Sequence, residues 1–542
     1  MGRFLVNRVG YAAGQPKFVY SLDPLQGARV MSEDATVLLT AGEKNVEMRY
    51  EQEMHTAIYR WDVSELRREE RYRVSRGDED DTLRVARDPF REVFRLAMRS
   101  YYLQRCGQAI DDRESGVQHA ACHLALATTV EEGETRDVSG GWHDAGDYGR
   151  YMPTAGVTVG QLLLLLVLVP ELVQYCDLGT REAEKSGISD VLAEVRYELD
   201  WMLRMQRSDG GVYHKVSTER FPGMIMPEAD DGRLWVYSVA TPDTAVFAAA
   251  MARASRVFQA VDARFASQCL AAADAAWKFL KSHEPMLHPK NGFTGSYLTK
   301  SDADERLWAA AELFLSTREQ EFQEYLRQQW DAMFSGQAVL VPINWEDVST
   351  MAVLALALED GVDVALQEKA KQSLIVSAEH LVSRINRHPF GCALLPGEYR
   401  WASAKTALAY GVNLAAAHYL TKRPEFLLGA VRQWDYVLGC NPLGRSWVTG
   451  TGPDSPQHPH HRYVVASGIM IPGLLVGGPN AQAHQQDGIV PETVGPLAYV
   501  DDERAYAVNE PAIDYNAPLV VLAGYLHGVL GQGRENGGNV ND

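Results

Sequence analysis

The sequence predicts a multidomain protein, with a β-sandwich over residues 1–86 followed by an all-α (α/α)6 barrel over residues 87–535. Up to about Val85 the chain runs in short β-type segments broken by Gly, Pro and charged turns, as in a small sandwich. After Arg87-Asp88-Pro89 it changes to long stretches with the apolar periodicity of helices. Twelve such stretches follow, and twelve helices in successive antiparallel pairs would close into an (α/α)6 barrel.

The β-type segments include Lys-Phe-Val-Tyr at 17–20 and Ala-Thr-Val-Leu-Leu at 35–39, where β-branched and aromatic residues favour strands. No cluster of candidate catalytic residues lies in this part of the chain. We therefore expect the sandwich to brace the barrel.

The helical stretches are apolar on a broad face, as in Ala-Val-Leu-Ala-Leu-Ala-Leu at 352–358, which favours an inner ring over a solvent-facing surface. Long gaps fall at 109–153, 207–241 and 439–515, and loops of that length in a compact domain tend to be functional. The polar, Gly-rich tail at 531–538 is expected to fray. The predicted helices lie near 91–108, 154–169, 188–206, 242–260, 262–282, 304–315, 318–334, 346–360, 365–385, 402–421, 424–438 and 516–532.

Two carboxylate motifs lie far apart in the chain. Residues 140–149, Gly-Gly-Trp-His-Asp-Ala-Gly-Asp-Tyr-Gly, place Asp144 and Asp147 in a Gly-bordered turn, and Glu510 precedes an apolar Pro-Ala-Ile. Alone, a D-x-x-D pair is more typical of a helix cap or a loop cation, and a Glu before a helix is more typical of a surface. Together the motifs could supply the base and the acid that hydrolyse a glycosidic bond with inversion.

A third segment, 441–450, reads Asn-Pro-Leu-Gly-Arg-Ser-Trp-Val-Thr-Gly and runs on to Pro-His-His-Arg at 459–462. In their order and residues the three segments resemble the family 9 glycoside hydrolases, which are mainly cellulases. Trp447 stands where the family usually has Tyr or Phe. The opening Val-Asn-Arg-Val-Gly-Tyr at 6–11 is similar to the first strand of an immunoglobulin-like domain that precedes the barrel in one branch of the family. The resemblance thus implies an immunoglobulin-like β-sandwich joined to an (α/α)6 catalytic barrel.

By this resemblance Asp147 is the general base, Asp144 helps to hold the attacking water, and Glu510 is the general acid. Two acceptors aimed at one water can orient it while one of them takes its proton. A glutamic acid that donates a proton near neutral pH needs a raised pKa, which a water-poor site and nearby carboxylates would provide.

The resemblance also places His460 and Arg462 against the sugar at the point of cleavage, where their N–H groups could bind ring hydroxyls. Trp345, Trp401 and Tyr506 are expected to stack on sugar faces, and the alternative for each is an ordinary core aromatic. Cellulases of the family commonly carry Trp-Gly-Ser-Asn at the Trp401 position, where this chain has Trp-Ala-Ser-Ala-Lys. One amide expected beside the cleft is therefore missing.

Cys106, Cys122, His123 and His143 make a Cys2His2 set suited to tetrahedral Zn2+, with no position left open for water. Some members of the family carry a zinc on the matching residues. Such a zinc would be structural and would fix the backbone directly before the carboxylate turn. The alternative is two buried thiols and two unrelated histidines. Calcium is also common in the family, and the acidic loop at 228–231 offers oxygen ligands, but we assign no calcium site.

Composition limits the partners. The chain has 542 residues and a formal net charge of −19, which argues against nucleic acid or an anionic membrane and suits a neutral or a cationic substrate. The apolar segment at 162–169 is too short to span a bilayer and is expected to be a buried helix. The first eight residues lack the features of a secretory signal, so we expect a cytoplasmic protein, or a secreted one if a signal was removed. Six widely spaced cysteines indicate no disulfide framework.

From these residues we predict an inverting endo-β-1,4-glucanase that cleaves cellulose-type glucans and cello-oligosaccharides. One alternative is an exo-acting β-glucosidase or exo-β-D-glucosaminidase that trims short oligosaccharides, which the lack of a secretory signal favours because crystalline cellulose cannot enter a cell. A second is a barrel that binds sugar without cutting it, which the presence of all three carboxylates disfavours. The sequence does not predict the oligomeric state.

Overall fold

The computed structural model describes residues 4–283, 286–290 and 292–531. The predicted end of the barrel at residue 535 and the tail beyond Gly531 lie outside these ranges.

The amino-terminal domain consists of two β-sheets, as predicted. One sheet has the strand order β1-β8-β7-β3-β4 and the other has the order β2-β6-β5. Strand β1 pairs in parallel with β8, and the other neighbours are antiparallel. The strands are β1 Tyr11–Ala12, β2 Phe18–Ser21, β3 Arg29–Met31, β4 Val37–Thr40, β5 Val46–Glu51, β6 Thr56–Asp62, β7 Glu70–Arg76 and β8 Glu79–Ala86.

The alternation of side chains along these strands explains the sandwich. In β7, Tyr72 and Val74 are buried while the residues between and beside them face solvent. In β8, Leu83 and Val85 are buried in the same way. Trp61 in β6 is fully buried. One face of each sheet is thus apolar, and burying both faces against each other stabilises the domain.

The strand expected over residues 6–11 is wrong except at its end, where β1 begins. The preceding residues turn toward the helical domain instead. The backbone N–H of Arg8 donates to the carbonyl oxygen of Leu438 at 2.8 Å, and the side-chain amide of Asn7 donates to Asp435 at 2.7 Å. This segment therefore attaches the β-sandwich to the barrel.

Among the described residues, twelve long helices form the barrel of the second domain, and each overlaps one of the twelve predicted. The first ends at Leu103 and not at 108, and the last begins at Ile513 and not at 516. The barrel helices are α1 Arg91–Leu103, α2 Met152–Leu168, α3 Asp190–Arg204, α4 Thr241–Phe258, α5 Ala263–Ser282, α6 Ala303–Thr317, α7 Gln320–Phe334, α8 Ser349–Leu358, α9 Val364–Arg387, α10 Ser403–Thr421, α11 Pro424–Val437 and α12 Ile513–Leu526.

The even-numbered helices form the inner ring. Each of α2, α4, α6, α8, α10 and α12 packs against the next, and α12 packs against α2, so the ring is closed. The odd-numbered helices pack outside it against their even-numbered neighbours. The composition explains the division, because α12 is buried along its whole length whereas α7 buries one stripe of four residues. The predicted (α/α)6 barrel is confirmed.

Because the helices alternate in direction, the loops that precede the six inner helices all lie at one end of the barrel. The predicted long loops precede α2, α4 and α12. Two of them share a five-stranded sheet of order β12-β11-β15-β14-β13. The strands of these loops are β9 Ile110–Asp111, β10 Gln118–His119, β11 Ala127–Thr129, β12 Thr135–Arg136, β13 Arg150–Tyr151, β14 Lys215–Thr218 and β15 Leu234–Val236. The short helices are Pro170–Tyr175, Glu182–Ser186, Pro227–Ala229, Pro396–Glu398, Arg462–Ser467, Ala483–Gln486, Gly495–Leu497, Tyr506–Asn509 and His527–Gly531.

All six cysteines are free thiols in the structure. Within the described part of the chain, no helix has both the length and the apolar character needed to cross a membrane.

Candidate active site

The carboxylate turn is anchored to α3 through its tryptophan. The backbone N–H of Trp142 donates to Glu198 at 2.7 Å, and its indole N–H donates to Glu194, also at 2.7 Å. Glu194 in turn forms an ion pair with Arg105 at 2.9 Å. All four side chains are buried, so the turn has a fixed position before β13 and α2.

Gly146 brings the three sequence motifs together. A Cβ atom at this position would lie 2.1 Å from the carbonyl oxygen of His460, so only glycine fits there. Its N–H donates to Oε1 of Glu510 at 3.2 Å, and its carbonyl oxygen accepts from Nη1 of Arg462 at 2.8 Å. The backbone between the two aspartates thus contacts the other two motifs directly.

Asp144 is fully buried and accepts a hydrogen bond at each carboxylate oxygen. The Thr154 hydroxyl donates to Oδ1, and the Tyr297 hydroxyl donates to Oδ2 at 2.5 Å. Burial and the charge of Asp147 raise the pKa of Asp144 well above its ordinary value, while the two hydroxyls act in the opposite direction. Its carbonyl oxygen accepts from the N–H of Ile513 at 2.7 Å, which joins the turn to the start of α12.

Asp147 is 5% exposed and also has two donors. The Tyr151 hydroxyl donates to its Oδ2 at 2.9 Å, and the N–H of Gly149 donates to the same oxygen at 3.0 Å. Both donors fix the orientation of the carboxylate. The two aspartates therefore have similar hydroxyl donors but differ in their access to solvent.

Glu510 has the electrostatic environment of a proton donor. Burial raises its pKa to about 8, and the negative charge of Asp147 adds to the rise. The guanidinium of Arg462 and the N–H of Gly146 act against it but do not cancel it. At pH 7 the side chain is therefore mainly a neutral carboxylic acid.

His460 and Arg462 lie near Glu510, because the backbone N–H of His460 donates to the carbonyl oxygen of Asn509 at 2.9 Å and the charge of Arg462 acts on the pKa of Glu510. The His460 ring donates from Nδ1 to the carbonyl oxygen of Glu503 at 2.6 Å, because a carbonyl only accepts. Burial lowers the pKa of His460, so the neutral imidazole carries a lone pair at Nε2. Arg462 uses Nη1 on Gly146 and Nε on the carbonyl oxygen of Pro222 at 2.9 Å. Its guanidinium thus holds two backbone segments in place.

The three predicted aromatic residues lie in the loops before α8, α10 and α12. Trp401 is 37% exposed, and its indole N–H donates to the Tyr515 hydroxyl at 2.7 Å. The Tyr506 ring centroid is 5.9 Å from that of Trp401. Trp345 is partly buried and stands edge-on to Tyr297, with ring centroids 5.0 Å apart. These rings lie at the same end of the barrel as the carboxylates.

The departure from Trp-Gly-Ser-Asn has a structural counterpart. Ala404, in the Asn position, is buried against Gly478 and does not face solvent. The next residue, Lys405, donates to Oδ2 of Asp514 at 2.6 Å and to Oδ1 of Asn344 at 2.7 Å. Lys405 therefore links Asp514 in α12 to the turn that carries Trp345, the residue after Asn344.

Cys106, Cys122, His123 and His143 converge and could hold a metal ion. The two sulfurs are 4.0 Å apart, Cys106 Sγ is 3.6 Å from His123 Nδ1, and Cys122 Sγ is 3.5 Å from His143 Nε2. A tetrahedron with Zn–S arms of about 2.3 Å and Zn–N arms of about 2.0 Å has an S–S edge of roughly 3.8 Å and S–N edges of roughly 3.5 Å. The four atoms therefore fit a tetrahedral ion. The predicted first helix, 91–108, includes Cys106. In the structure α1 ends at Leu103, and Cys106 lies in the loop that follows.

The acidic loop at 228–231 has only one carboxylate turned inward. Glu228 and Asp231 are exposed, whereas Oδ2 of Asp230 lies 3.2 Å from Nε2 of His123. This contact gives no support to a calcium site in the loop.

Sequence reasoning missed the hydroxyl donors of the aspartates. Tyr151 and Thr154 follow the turn closely in sequence, so a search of the strand and helix directly after the turn could have found them. Tyr297 has no such signal, because it lies far along the chain in a loop. Two residues at the start of β14 and just before it hold that loop. Lys215 donates to the carbonyl oxygen of Gly295 at 2.8 Å, and Nε2 of His214 lies 3.1 Å from the carbonyl oxygen of Ser296, the residue before Tyr297.

The closed double ring of helices, with acidic and aromatic residues at one end, defines the class of the protein as a glycoside hydrolase. The profile of glycosyl hydrolase family 9 matches residues 90–523. The chain belongs to this family.

Several known proteins match this chain over nearly its whole length. Endoglucanase D of Acetivibrio thermocellus is 32% identical over 100% of this chain and 83% of its own length. Cellodextrinase of Butyrivibrio fibrisolvens is 30% identical over 97% of this chain and 100% of its own. The crystal structure of a metagenome-derived family 9 endoglucanase has a TM-score of 0.89 and 38% identity, and covers 96% of this chain and 98% of that one. A Zn-binding triple mutant of the family 9 endoglucanase J30 has a TM-score of 0.89 and 34% identity, with coverages of 95% and 99%.

Proposed function

We propose that the protein is an inverting endo-β-1,4-glucanase that cleaves β-1,4-glucosidic bonds in cellulose-type glucans and cello-oligosaccharides. The contact between the carboxylate turn and Glu510 carries the proposal. Through Gly146, a carboxylic acid with a pKa of about 8 lies against the backbone of an ionisable aspartate pair. Inversion needs this combination of an acid and a base.

In the reaction Glu510 protonates the leaving glycosidic oxygen while Asp147 takes a proton from the attacking water. Asp147 is the more exposed of the two aspartates, which favours it as the base that meets solvent. Asp144, fixed by Thr154 and Tyr297, is the second acceptor for that water. The water adds to the anomeric carbon as the glycosidic bond breaks, and the anomeric configuration is inverted.

Trp401, Tyr506 and Trp345 are proposed to stack on the sugar rings of the bound chain. The exposure of Trp401 supports this role, because an indole with one face in solvent and its N–H bonded to protein is a ready platform. His460 would accept a hydrogen bond from a sugar hydroxyl through Nε2, and Arg462 would act near the cleavage point while holding Gly146.

Short cello-oligosaccharides are the second candidate substrate class. A relative named cellodextrinase matches this chain over the relative's full length. A relative named endoglucanase matches it with similar identity, so the names do not favour one substrate class. Exo-acting cleavage of such oligomers, or of glucosamine oligomers, would use the same three carboxylates.

We also propose that Cys106, Cys122, His123 and His143 bind one Zn2+. Two soft sulfurs and two imidazole nitrogens at tetrahedral spacing suit this ion, and four protein ligands leave no position for substrate. The bound ion would hold the loop after α1 against the carboxylate turn. Metal analysis of protein purified without chelator tests this, and less than a tenth of an equivalent of zinc would contradict it.

Proton NMR of the enzyme with cellopentaose tests the function. Early α-anomer together with cellobiose and cellotriose is the expected result. Glucose released stepwise would instead indicate exo action, and a β-anomer at first turnover would contradict inversion. A glucosamine pentamer run in parallel distinguishes the substrate class.

Two variants test the roles of the carboxylates. Asp147→Asn and Glu510→Gln are each expected to lower kcat on cellopentaose by about 10² to 10⁴-fold. An aryl cellobioside with a good leaving group needs no acid, so it should restore much of the rate of Glu510→Gln but not that of Asp147→Asn. Equal losses on both substrates for both variants would contradict the assignment.

A further inference from the structure

The contact between His123 and Asp230 joins the Cys2His2 cluster to a distant loop. Nδ1 of His123 faces Cys106, at 3.6 Å from the sulfur, and Nε2 faces Oδ2 of Asp230 at 3.2 Å. Both side chains are buried, at 2% and 7% exposure. One imidazole therefore points one nitrogen at the cluster and the other at a carboxylate.

The chemistry of the pair fixes the tautomer of the ring. An ionised carboxylate can only accept, so Nε2 of His123 carries the hydrogen that it donates to Asp230. In a neutral imidazole the lone pair then lies on Nδ1, which is the atom within reach of the other three ligands. A carboxylate behind a ligating histidine orients the ring and raises its basicity. His123 also has a backbone φ of +52°, which is uncommon for a residue other than glycine and shows that surrounding contacts hold it.

Asp230 belongs to the hairpin loop 219–233, which connects β14 to β15. The same loop is attached to the active site at two other points. The Tyr148 hydroxyl donates to the carbonyl oxygen of Ile225 at 2.6 Å. The carbonyl oxygen of Pro222 also accepts a hydrogen bond from Nε of Arg462, whose guanidinium holds the carboxylate turn.

We propose that Asp230 is a positioning residue of the metal site, and that its bond to His123 couples metal binding to the conformation of the 219–233 loop beside the catalytic carboxylates. The inference rests on the proposed zinc site. It gives Asp230, the one inward-facing acidic residue of 228–231, a role other than binding calcium. Tyr148, whose ring lies 5.8 Å from His123 and 4.8 Å from His143, forms the second contact between the cluster and the loop.

The alternative is an ion pair between Asp230 and a protonated His123 that has nothing to do with a metal. In that case the cluster would hold zinc equally well without the carboxylate. The loop would also be equally ordered with and without the ion. These two expectations separate the alternative from the proposal.

The test compares Asp230→Ala and Asp230→Asn with Asp231→Ala, which removes the same charge from the exposed neighbouring residue. Zinc affinity is measured on the full-length protein by competition with a chromogenic chelator. We expect Asp230→Ala to weaken zinc binding by about 10 to 100-fold, Asp230→Asn to lie in between, and Asp231→Ala to match the wild type. Zinc binding by Asp230→Ala that equals that of the wild type would overturn the inference and leave the zinc site standing.

Hydrogen exchange of the 219–233 loop gives a readout that is independent of activity. Exchange should accelerate in metal-free wild type and in Asp230→Ala, and not in Asp231→Ala. If the wild type binds zinc but exchange of the loop is unchanged when the zinc is removed, the proposed coupling would be overturned. A wild type without zinc affinity would instead refute the zinc proposal itself, and the inference with it.

Discussion

The hydroxyl of Tyr297 donates to Oδ2 of Asp144 at 2.5 Å, from a loop in which no sequence motif was found. The ring of Tyr297 stands edge-on to that of Tyr151, with centroids 4.9 Å apart, and the Tyr151 hydroxyl donates to Asp147. Two phenols in contact thus hold the two carboxylates that we assign to the attacking water. The relative position of the carboxylates depends on both rings.

Removing the Tyr297 hydroxyl should alter the pH dependence of the reaction. A donor to a carboxylate stabilises its charged form, so in Tyr297→Phe the pKa of Asp144, already raised by burial and by Asp147, rises further. Asp144 then loses its proton at a higher pH. We expect the acidic limb of the kcat/KM profile to move to higher pH and kcat to fall about tenfold or more.

The matched control is Tyr50→Phe, which removes a hydroxyl from an exposed residue of β5. Its profile should coincide with that of the wild type. If Tyr297→Phe loses activity with the acidic limb unmoved, the phenol acts through packing alone and not through the charge of Asp144.

The sequence predicted the parts of this site that lie in contiguous motifs. Asp144, Asp147 and Glu510 each lie in a short contiguous motif, and their roles were assigned because three such motifs occur in the order of the family that they resemble. The barrel helices were found because an inner and an outer ring impose different apolar patterns. Tyr297 was not found, because its role depends on a loop held by Lys215 and the residue before it, through contacts that close only in the folded chain. The turn at residues 6–10 was likewise set by contact with the barrel and not by local preference.

The alkaline limb of activity reports on Glu510. Its pKa, raised by burial and by Asp147 to about 8, means that the side chain is protonated at neutral pH and loses its proton as the pH rises through that value. Because only the protonated form can donate to the leaving group, kcat/KM should fall above this pH, and it should be level between this pH and the acidic limb that the aspartates set. An initial-rate profile on cellopentaose, with enzyme preincubated at each pH to exclude inactivation, measures the limb. A limb near 5, as for an exposed glutamate, would contradict the environment described for Glu510.

Gly146 should tolerate no side chain. In Gly146→Ala the new methyl group would overlap the carbonyl oxygen of His460, and the two segments would have to separate. Separation would break the bonds to Glu510 and Arg462 that join the three motifs. We expect kcat to fall by about 10²-fold, as for a displacement of catalytic groups by about 1 Å.

Gly42→Ala is the control for this substitution, since Gly42 has open space around its notional Cβ and no unusual φ. It should keep full activity. Activity of Gly146→Ala within twofold of the wild type would show that the backbone approach at this glycine is not needed for catalysis.

The buried pair of Lys405 and Asp514 should matter more for stability than for chemistry. The ammonium and the carboxylate are 2.6 Å apart, with side-chain exposures of 4% and 1%. In Lys405→Met the charge of Asp514 stays buried without a partner, which costs about 3 to 5 kcal/mol. The free energy of unfolding, measured by chemical denaturation, should fall by that amount.

Two further variants decide whether this loss comes from the unpaired charge. Lys278→Met removes a lysine from the exposed pair with Asp274 and should change the free energy of unfolding by less than about 1 kcal/mol. The double variant Lys405→Met with Asp514→Leu replaces both charges by apolar groups, so it should recover most of the stability lost in Lys405→Met. If the double variant is no more stable than the single one, packing around α10 and α12 and not the unpaired carboxylate limits stability. Recovery would show that Lys405, the residue after the Ala404 position where this chain departs from the usual cellulase pattern, neutralises the Asp514 charge behind the active site.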